Sequence, residues 1–282
     1  MIAEIGCNHK GEMEIAKQLL KVAAESGVEV AKFQKRNNKE LLTEDQYNAV
    51  HPNPINSYGD TYGAHREYLE FNVAQNKELK EYCDEIGITY STSVWDVTSA
   101  KEMITFEPKF LKVPSACNNN FKMLKVLRDE YGGQVQLSVG MTTKEEIEEI
   151  VSFFEQTNQA KHRLLIYSCT SGYPVPSEDI ALLEINWLYE DYGDRVNEIG
   201  FSGHHLGVAL DVAAYTLGAR WIERHFTKNR TWKGTDHAAS LEPQGLKKLT
   251  RDLNSVYKAL NYKASEILPI EKVQRRKLKN IK

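Results

Sequence analysis

Eight short apolar runs alternate with amphipathic helical stretches along this chain, and few folds accommodate that rhythm. The runs extend from Ile2 to Ile5, Val28 to Gln34, Ile88 to Ser93, Phe110 to Val113, Val135 to Val139, Leu164 to Tyr167, Ile199 to Ser202 and Trp221 to His225. Helix signals fill the gaps. The first helix carries Ile15, Ala16, Leu19, Leu20 and Ala23 on one face and stops at Gly27, where glycine tolerates a positive φ. Another opens at Thr143 with Glu146 three residues on, a capping box, and buries Ile147, Ile150, Val151 and Phe154. The last repeats Leu246, Leu249, Leu253, Val256 and Leu260. Eight such β–α units in roughly 260 residues predict a (β/α)8 barrel, an α/β TIM barrel, over a doubly wound sheet with fewer strands and a glycine-rich first turn.

The barrel is expected to occupy residues 1–269 of the 282. A basic tail follows over 270–282, with Lys272, Arg275, Arg276, Lys277, Lys279 and Lys282, read as an unstructured linker. Lysine and arginine number 36 against 39 aspartates and glutamates, so no global positive field exists to hold a nucleic acid. No apolar run approaches the ~20 residues of a membrane span. Neither a basic leader nor a signal core opens the sequence, and Cys7, Cys83, Cys117 and Cys169 form no CxxC pair, which predicts a reducing cytoplasm rather than a disulfide framework.

In such barrels chemistry gathers at the C-terminal strand ends. There the sequence places Glu4, Cys7, Asn8 and His9, then Lys32 and Gln34, Thr92 and Ser93, Lys112 and Ser115, Ser138, Cys169 to Tyr173, Ser202 to His204, and Glu223 to His225. A lysine inside an apolar strand is costly unless anions meet it, so Lys32 and Lys112 point to an anionic ligand. His204 and His225 end neighbouring strands and, with Glu4, Asp236 and His237 nearby, suit a divalent cation that keeps open positions; Mn, Zn, Co and Fe all accept such donors. About 35 residues, Arg36 to Phe71, separate the second strand from its helix, far beyond the usual 2–6, and should cover the active face. Within that segment Tyr58, Tyr62 and Tyr68 read as packing, and Arg36, Lys39, His65 and Arg66 as solvated surface. Cys117 and Cys169 read as small fillers and Asp211 as a surface charge.

The segments EIGCNHKGEMEIAKQLLKVAAESGVEVAKFQ, LKVPSACNNN, CTSGYPVP, FSGHHLG and WIERHFTKNRTWKGTDHAASLEP together resemble the sialic acid synthases, the NeuB family. These enzymes join phosphoenolpyruvate to N-acetylmannosamine or its 6-phosphate. The resemblance runs from Met1 to about Pro269. It implies a transferase that forms N-acetylneuraminate or a related nonulosonic acid and releases phosphate. Lys32 and Lys112 match the family's ligand lysines; Thr92, Ser115, Ser138, Ser171 and Ser202 stand where it places donors to phosphoenolpyruvate. His204 and His225 match its metal ligands, with Mn first and Mg or Co as options. Glu4 fits a base or water-orienting carboxylate, and Gln34, Tyr173 and Asp236 match sugar contacts, so Glu4, Lys32, Lys112 and Asp236 form the expected catalytic set.

Two departures stand out. Cys117 occupies the place where many relatives carry an acidic residue, and the chain ends in the basic stretch where relatives begin a linker to a C-terminal antifreeze-like domain. The resemblance further implies a homodimer, with that domain supplied separately if at all. Other readings are a synthase for a legionaminate, pseudaminate or KDN-type sugar acid, a barrel aldolase or isomerase acting on sugar phosphates, and a degenerate barrel that binds a sugar acid without turnover. The lack of a glycine-rich phosphate loop near strands seven and eight speaks against the aldolase.

Overall fold

A computed structural model describes residues 1–280; Lys282, counted in the basic tail, lies outside the described residues. Eight parallel strands close into a barrel in sequence order: β1 (Ile2–Gly6), β2 (Val30–Lys35), β3 (Thr89–Val94), β4 (Phe110–Val113), β5 (Gln134–Ser138), β6 (Leu164–Cys169), β7 (Glu198–Gly203) and β8 (Trp221–His225). β8 returns to β1 with Glu4 opposite His225. Each strand lies within two residues of the apolar run that predicted it. Among the described residues no helix is long and apolar enough to cross a membrane.

Two separate cores follow from the period-2 alternation of strand side chains. Outward positions such as Ala3, Ile5, Ala31, Phe33, Tyr90, Leu137 and Phe201 pack against the surrounding helices. Inward positions give an apolar floor of Ile2, Val30, Phe110, Leu165 and Tyr167, with Trp221 against it. Above that floor the interior turns polar, where a barrel of this type is usually filled by branched apolar residues.

The helices form for the reasons the sequence offers. Met13–Glu25 buries Ala16, Leu19, Leu20 and Ala23, and Gly27 follows at φ +77°. At Lys144–Glu155, Thr143 Oγ1 accepts from the Glu146 amide (3.2 Å) and the Glu146 carboxylate accepts from the Thr143 amide (2.7 Å). Two expectations are overturned. The tail is not a structureless linker: Pro269–Leu278 is helical, begun by a proline in the first turn and a Leu268–Glu271 backbone cap. Asp211 is not a surface charge: it is fully buried and ion-paired to Arg224, an outward-facing β8 residue that required a counter-charge.

The long β2 insertion folds into short helices, Asn38–Leu41, Glu44–Asn48 and Tyr62–Leu69, with a 3-10 turn at Pro54–Asn56. Its two ends are tied together, because Arg36 Nε donates to Glu70 Oε1 at 2.6 Å and the Arg36 amide to Glu70 Oε2 at 2.9 Å. Its tip reaches the loop after β8: Tyr58 donates to the Lys233 carbonyl and the Gly234 amide to Asn56 Oδ1. The insertion therefore spans the mouth of the barrel from β2 to β8.

Candidate active site

A cavity of about 420 Å³ opens at the C-terminal ends of the strands, under the insertion. Its base is an ionic layer. Lys32 pairs with Glu4, donates to Ser93 Oγ at 2.7 Å and lies 3.7 Å from Glu223. Lys112 donates to both Glu223 oxygens at 3.1 Å and sits 3.5 Å above the Tyr167 ring, whose hydroxyl is fixed by Gln136 Oε1 at 2.7 Å. Ser202 Oγ also reaches Glu223 (3.1 Å), and Gln34 Nε2 donates to Glu4 (2.9 Å). All four charged groups are almost fully buried. Two ammonium groups thus meet two carboxylates, which answers the expectation that the lysines need anions: Glu223, from the strand itself, neutralises the layer in part.

The titration of this layer is set by competition between burial and pairing. Burial opposes the Lys32 charge, but Glu223 and Glu4 outweigh it and raise the pKa. At Lys112 burial wins, aided by the neighbouring Lys32, and the pKa falls. Burial would raise the Glu223 carboxyl, yet Lys112 and Lys32 hold it down to about 2.

Small hydroxyls line the same cavity. They belong to Ser115, Ser138, Ser171 and Ser202, and the Gly140 backbone is pressed against them, its amide donating to Ser115 Oγ (3.1 Å). A Cβ at Gly140 would lie 2.5 Å from Ser171 Oγ and 2.8 Å from Ser115 Oγ, so a side chain there would displace these hydroxyls. Gly6 serves β1 similarly: at φ +53° it turns the chain after Glu4, where a Cβ would sit 3.0 Å from both Glu4 Oε1 and Gln34 Nε2. Two residues on, Asn8 Nδ2 donates to the Phe226 carbonyl and to Ser240 Oγ, each at 2.9 Å, locking this turn to the loop after β8.

The C-terminal ends of β7 and β8 carry the imidazoles. His204 and His225 lie with ring centroids 5.4 Å apart, and Tyr173 packs 4.4 Å from His204. His204 Nδ1 is engaged by the Thr170 carbonyl at 3.0 Å, which leaves Nε2 available. Burial and then His225 push His204 down to about 4, so it is neutral near pH 7. His225 Nδ1 is buried without a hydrogen-bond partner, 4.0 Å from Asp236 Oδ2. Among the described residues no group of three or more His, Cys, Asp or Glu is placed to hold a metal ion. Two imidazoles, one fixed by a backbone carbonyl and one orphaned beside a carboxylate, fit a cation that takes its other ligands from substrate and water.

The structure brings Glu4, Lys32, Gln34, Lys112, Ser115, Ser138, Ser171, Tyr173, Ser202, His204, His225 and Asp236 to this one cavity. Thr92 is not among them. It pairs in register with Phe33 while Ser93 pairs with Gln34, so Thr92 faces the helices and Ser93 takes the inward place. His237 also lies elsewhere, buried with Nδ1 at 2.7 Å from Thr227 Oγ1. Cys117 sits in the apolar core with its thiol toward the Val94 and Pro114 carbonyls, whereas Cys169 lines the cavity. Arg36 and His65 are buried, not solvated, and with Tyr62 and Arg66 they form the cavity wall; Lys39 is exposed as expected. Ser93 and Glu223 stood among the strand-end residues without an assigned role, and the arginine-bearing wall was read as solvated surface. Glu223 carried a signal, since it precedes His225 by two and must share its face.

Residues 19–265 match the NeuB family. The chain is 36% identical to human N-acetylneuraminate-9-phosphate synthase over 99% of its own length and 76% of that enzyme. It is 30% identical to N,N'-diacetyllegionaminic acid synthase of Campylobacter jejuni, over 92% of this chain and 77% of that one. Among solved structures it superposes on the sialic acid synthetase of Leptospira borgpetersenii with a TM-score of 0.81 at 28% identity, covering 99% of this chain and 92% of the other.

Proposed function

The chain belongs to the NeuB family of sialic acid and related nonulosonate synthases, and from that premise we propose that it condenses phosphoenolpyruvate with an N-acetylmannosamine-type sugar. The product is N-acetylneuraminate or a related nonulosonic acid, with phosphate released. The observation that carries this reading is the convergence in one cavity of two ion-paired ammonium groups, a set of small hydroxyls and two imidazoles.

Each set of residues has a task. Lys32 and Lys112 hold the carboxylate and phosphate of the enolpyruvate; the entering anion takes up positive charge that Glu4 and Glu223 otherwise share. Ser93 keeps the Lys32 ammonium aimed. Ser115, Ser138, Ser171 and Ser202 donate to the remaining oxygens, and the Gly140 amide fixes the Ser115 hydroxyl. Gln34, Tyr173 and Asp236 orient the open-chain sugar so that its aldehyde carbon faces C3 of the enolpyruvate. A divalent cation, Mn in the first instance, would be held by His204 and His225 and supply Lewis-acid polarisation of the aldehyde. C3 attacks, water adds at C2, and the tetrahedral adduct expels phosphate. Glu4, fixed by Gln34 and Lys32, is the carboxylate placed to orient that water and take its proton. With Cys117 turned into the core, Glu4 and Asp236 are the carboxylates that carry proton traffic with the sugar. A homodimer in a cytoplasmic setting belongs to the same proposal.

The test is phosphate release by the purified chain with phosphoenolpyruvate, Mn²⁺ and a panel of N-acylmannosamines and their 6-phosphates. Release with at least one sugar, abolished in His204→Ala and Lys112→Ala, is expected. Silence across the panel would refute the synthase reading.

A further inference from the structure

At the boundary between the apolar floor and the cavity, the barrel interior carries polar groups where branched apolar residues would pack as well. Parity places Gln136 on β5, Tyr167 on β6 and Gly200 on β7 there, each two residues before Ser138, Cys169 or Ser202, which line the cavity. Gln136 and Tyr167 are wholly buried. Each finds a partner: the Tyr167 hydroxyl donates to Gln136 Oε1 at 2.7 Å, Gln136 Nε2 to Gln134 Oε1 at 2.8 Å, and Gln134 Nε2 to Asn197 Oδ1 at 2.8 Å. The hydrogen bonds all run one way, from the phenol to the N-terminal rim of the barrel.

The ring has a seat of its own. Gly200 stands opposite Tyr167 in the β6–β7 register, and a Cβ there would lie 2.6 Å from Tyr167 Cε1 and 2.7 Å from Cδ1. So seated, the ring presents its face to the Lys112 ammonium, 3.5 Å from its centroid. That contact answers a need, because burial and the neighbouring Lys32 both oppose the Lys112 charge, and Glu223 is its one carboxylate within salt-bridge distance among the described residues. A ring face attracts a cation through its quadrupole, most strongly where water is excluded, and a phenol that donates its proton enriches that face. Glu223 takes two of the three ammonium donors, at 3.1 Å each, and the ring acts on the charge as a whole. One donor is left for a ligand.

We propose that Tyr167 is a positioning residue for phosphoenolpyruvate: braced by Gln136 and seated by Gly200, its ring holds the Lys112 ammonium in place for the incoming anion. The identity of that anion rests on the synthase reading above. To that reading the proposal adds a residue that does not itself line the cavity. Without the ring face less of the cost of burying the ammonium is offset, so the charged, ligand-ready lysine is populated less and the anion binds more weakly.

The experiment changes the electronics of the ring and keeps its shape. Tyr167→Phe is the reference, followed by phenylalanine bearing one, two and three ring fluorines at the same position, each titrated with phosphoenolpyruvate by calorimetry in the presence of Mn²⁺. Fluorine withdraws density from the face with little change in volume, so Kd should rise stepwise, to about tenfold or more at three fluorines. In steady-state assays KM for phosphoenolpyruvate should climb in the same order, with KM for the sugar unmoved. Should Tyr167→Phe not fold, the series is run together with Gln136→Leu, which removes the amide oxygen left unpaired. A flat Kd along the series, or a parallel rise in KM for both substrates, would overturn the positioning role while leaving the synthase intact. A stepwise Kd in a chain that releases no phosphate with any sugar would support the positioning role and refute the synthase. No binding of phosphoenolpyruvate by the wild-type chain would overturn both.

Discussion

At Thr92 and Ser93 two adjacent hydroxyls have opposite fates. Ser93 accepts from Lys32 inside the barrel, and Thr92 faces the helices beside Tyr90. Ser93→Ala should therefore lower kcat/KM by about tenfold, the worth of a hydrogen bond to a charged group, whereas Thr92→Val should change it by less than about twofold. Steady-state kinetics of the two variants decide this; a larger loss at Thr92 would contradict the register. Most of the site was legible from strand ends, because Lys32, Lys112, His204 and His225 are residues that apolar strands do not otherwise carry. Parity decided the rest. Thr92 and Ser93 cannot be told apart until β2 and β3 are set in register, and the inward place of Glu223 follows from its two-residue spacing from His225.

At the scale of elements, the insertion is held by its ends. Arg36 and Glu70 close it, and Tyr58 and Asn56 dock its tip on the loop after β8. Glu70→Ala removes the clasp and leaves the Arg36 guanidinium buried without its partner, so the segment should open more often. Limited proteolysis should cut it between residues 37 and 69 several times faster than in the wild-type chain; an unchanged rate would show that the tip contacts suffice. The sequence disclosed the length and placement of this insertion but not its role, since Arg66 and Tyr62 reach the cavity only through tertiary docking. The same limit applies to Asp211, whose partner Arg224 comes from another element, and to the helix Pro269–Leu278, which buries no side chain and so gives no apolar stripe to read.

For the whole molecule, a polar interior over an apolar floor makes stability depend on pH. Burial, the leading cause in each case, pushes His9 down to about 3 and His65, His204 and His237 down to about 4 from an ordinary 6.5. Below 6.5 the unfolded chain takes up protons that the folded chain refuses, so stability is complete above that pH and declines as pH falls toward 4. Calorimetry of the metal-free chain should show Tm level above about pH 6.5 and dropping steadily to about pH 4; a constant Tm across that window would mean these imidazoles are not buried neutral. The eightfold alternation announced the barrel, and the closed strand order agrees with it, because the two core layers need only the period-2 pattern and not any particular side chain. The central claim is spatial, and diffraction from crystals soaked with Mn²⁺ and phosphoenolpyruvate tests it directly. The account predicts an anomalous peak bridged by His204 and His225, with the enolpyruvate carboxylate and phosphate against Lys32 and Lys112. Manganese bound elsewhere, or an enolpyruvate that touches neither lysine, would contradict it.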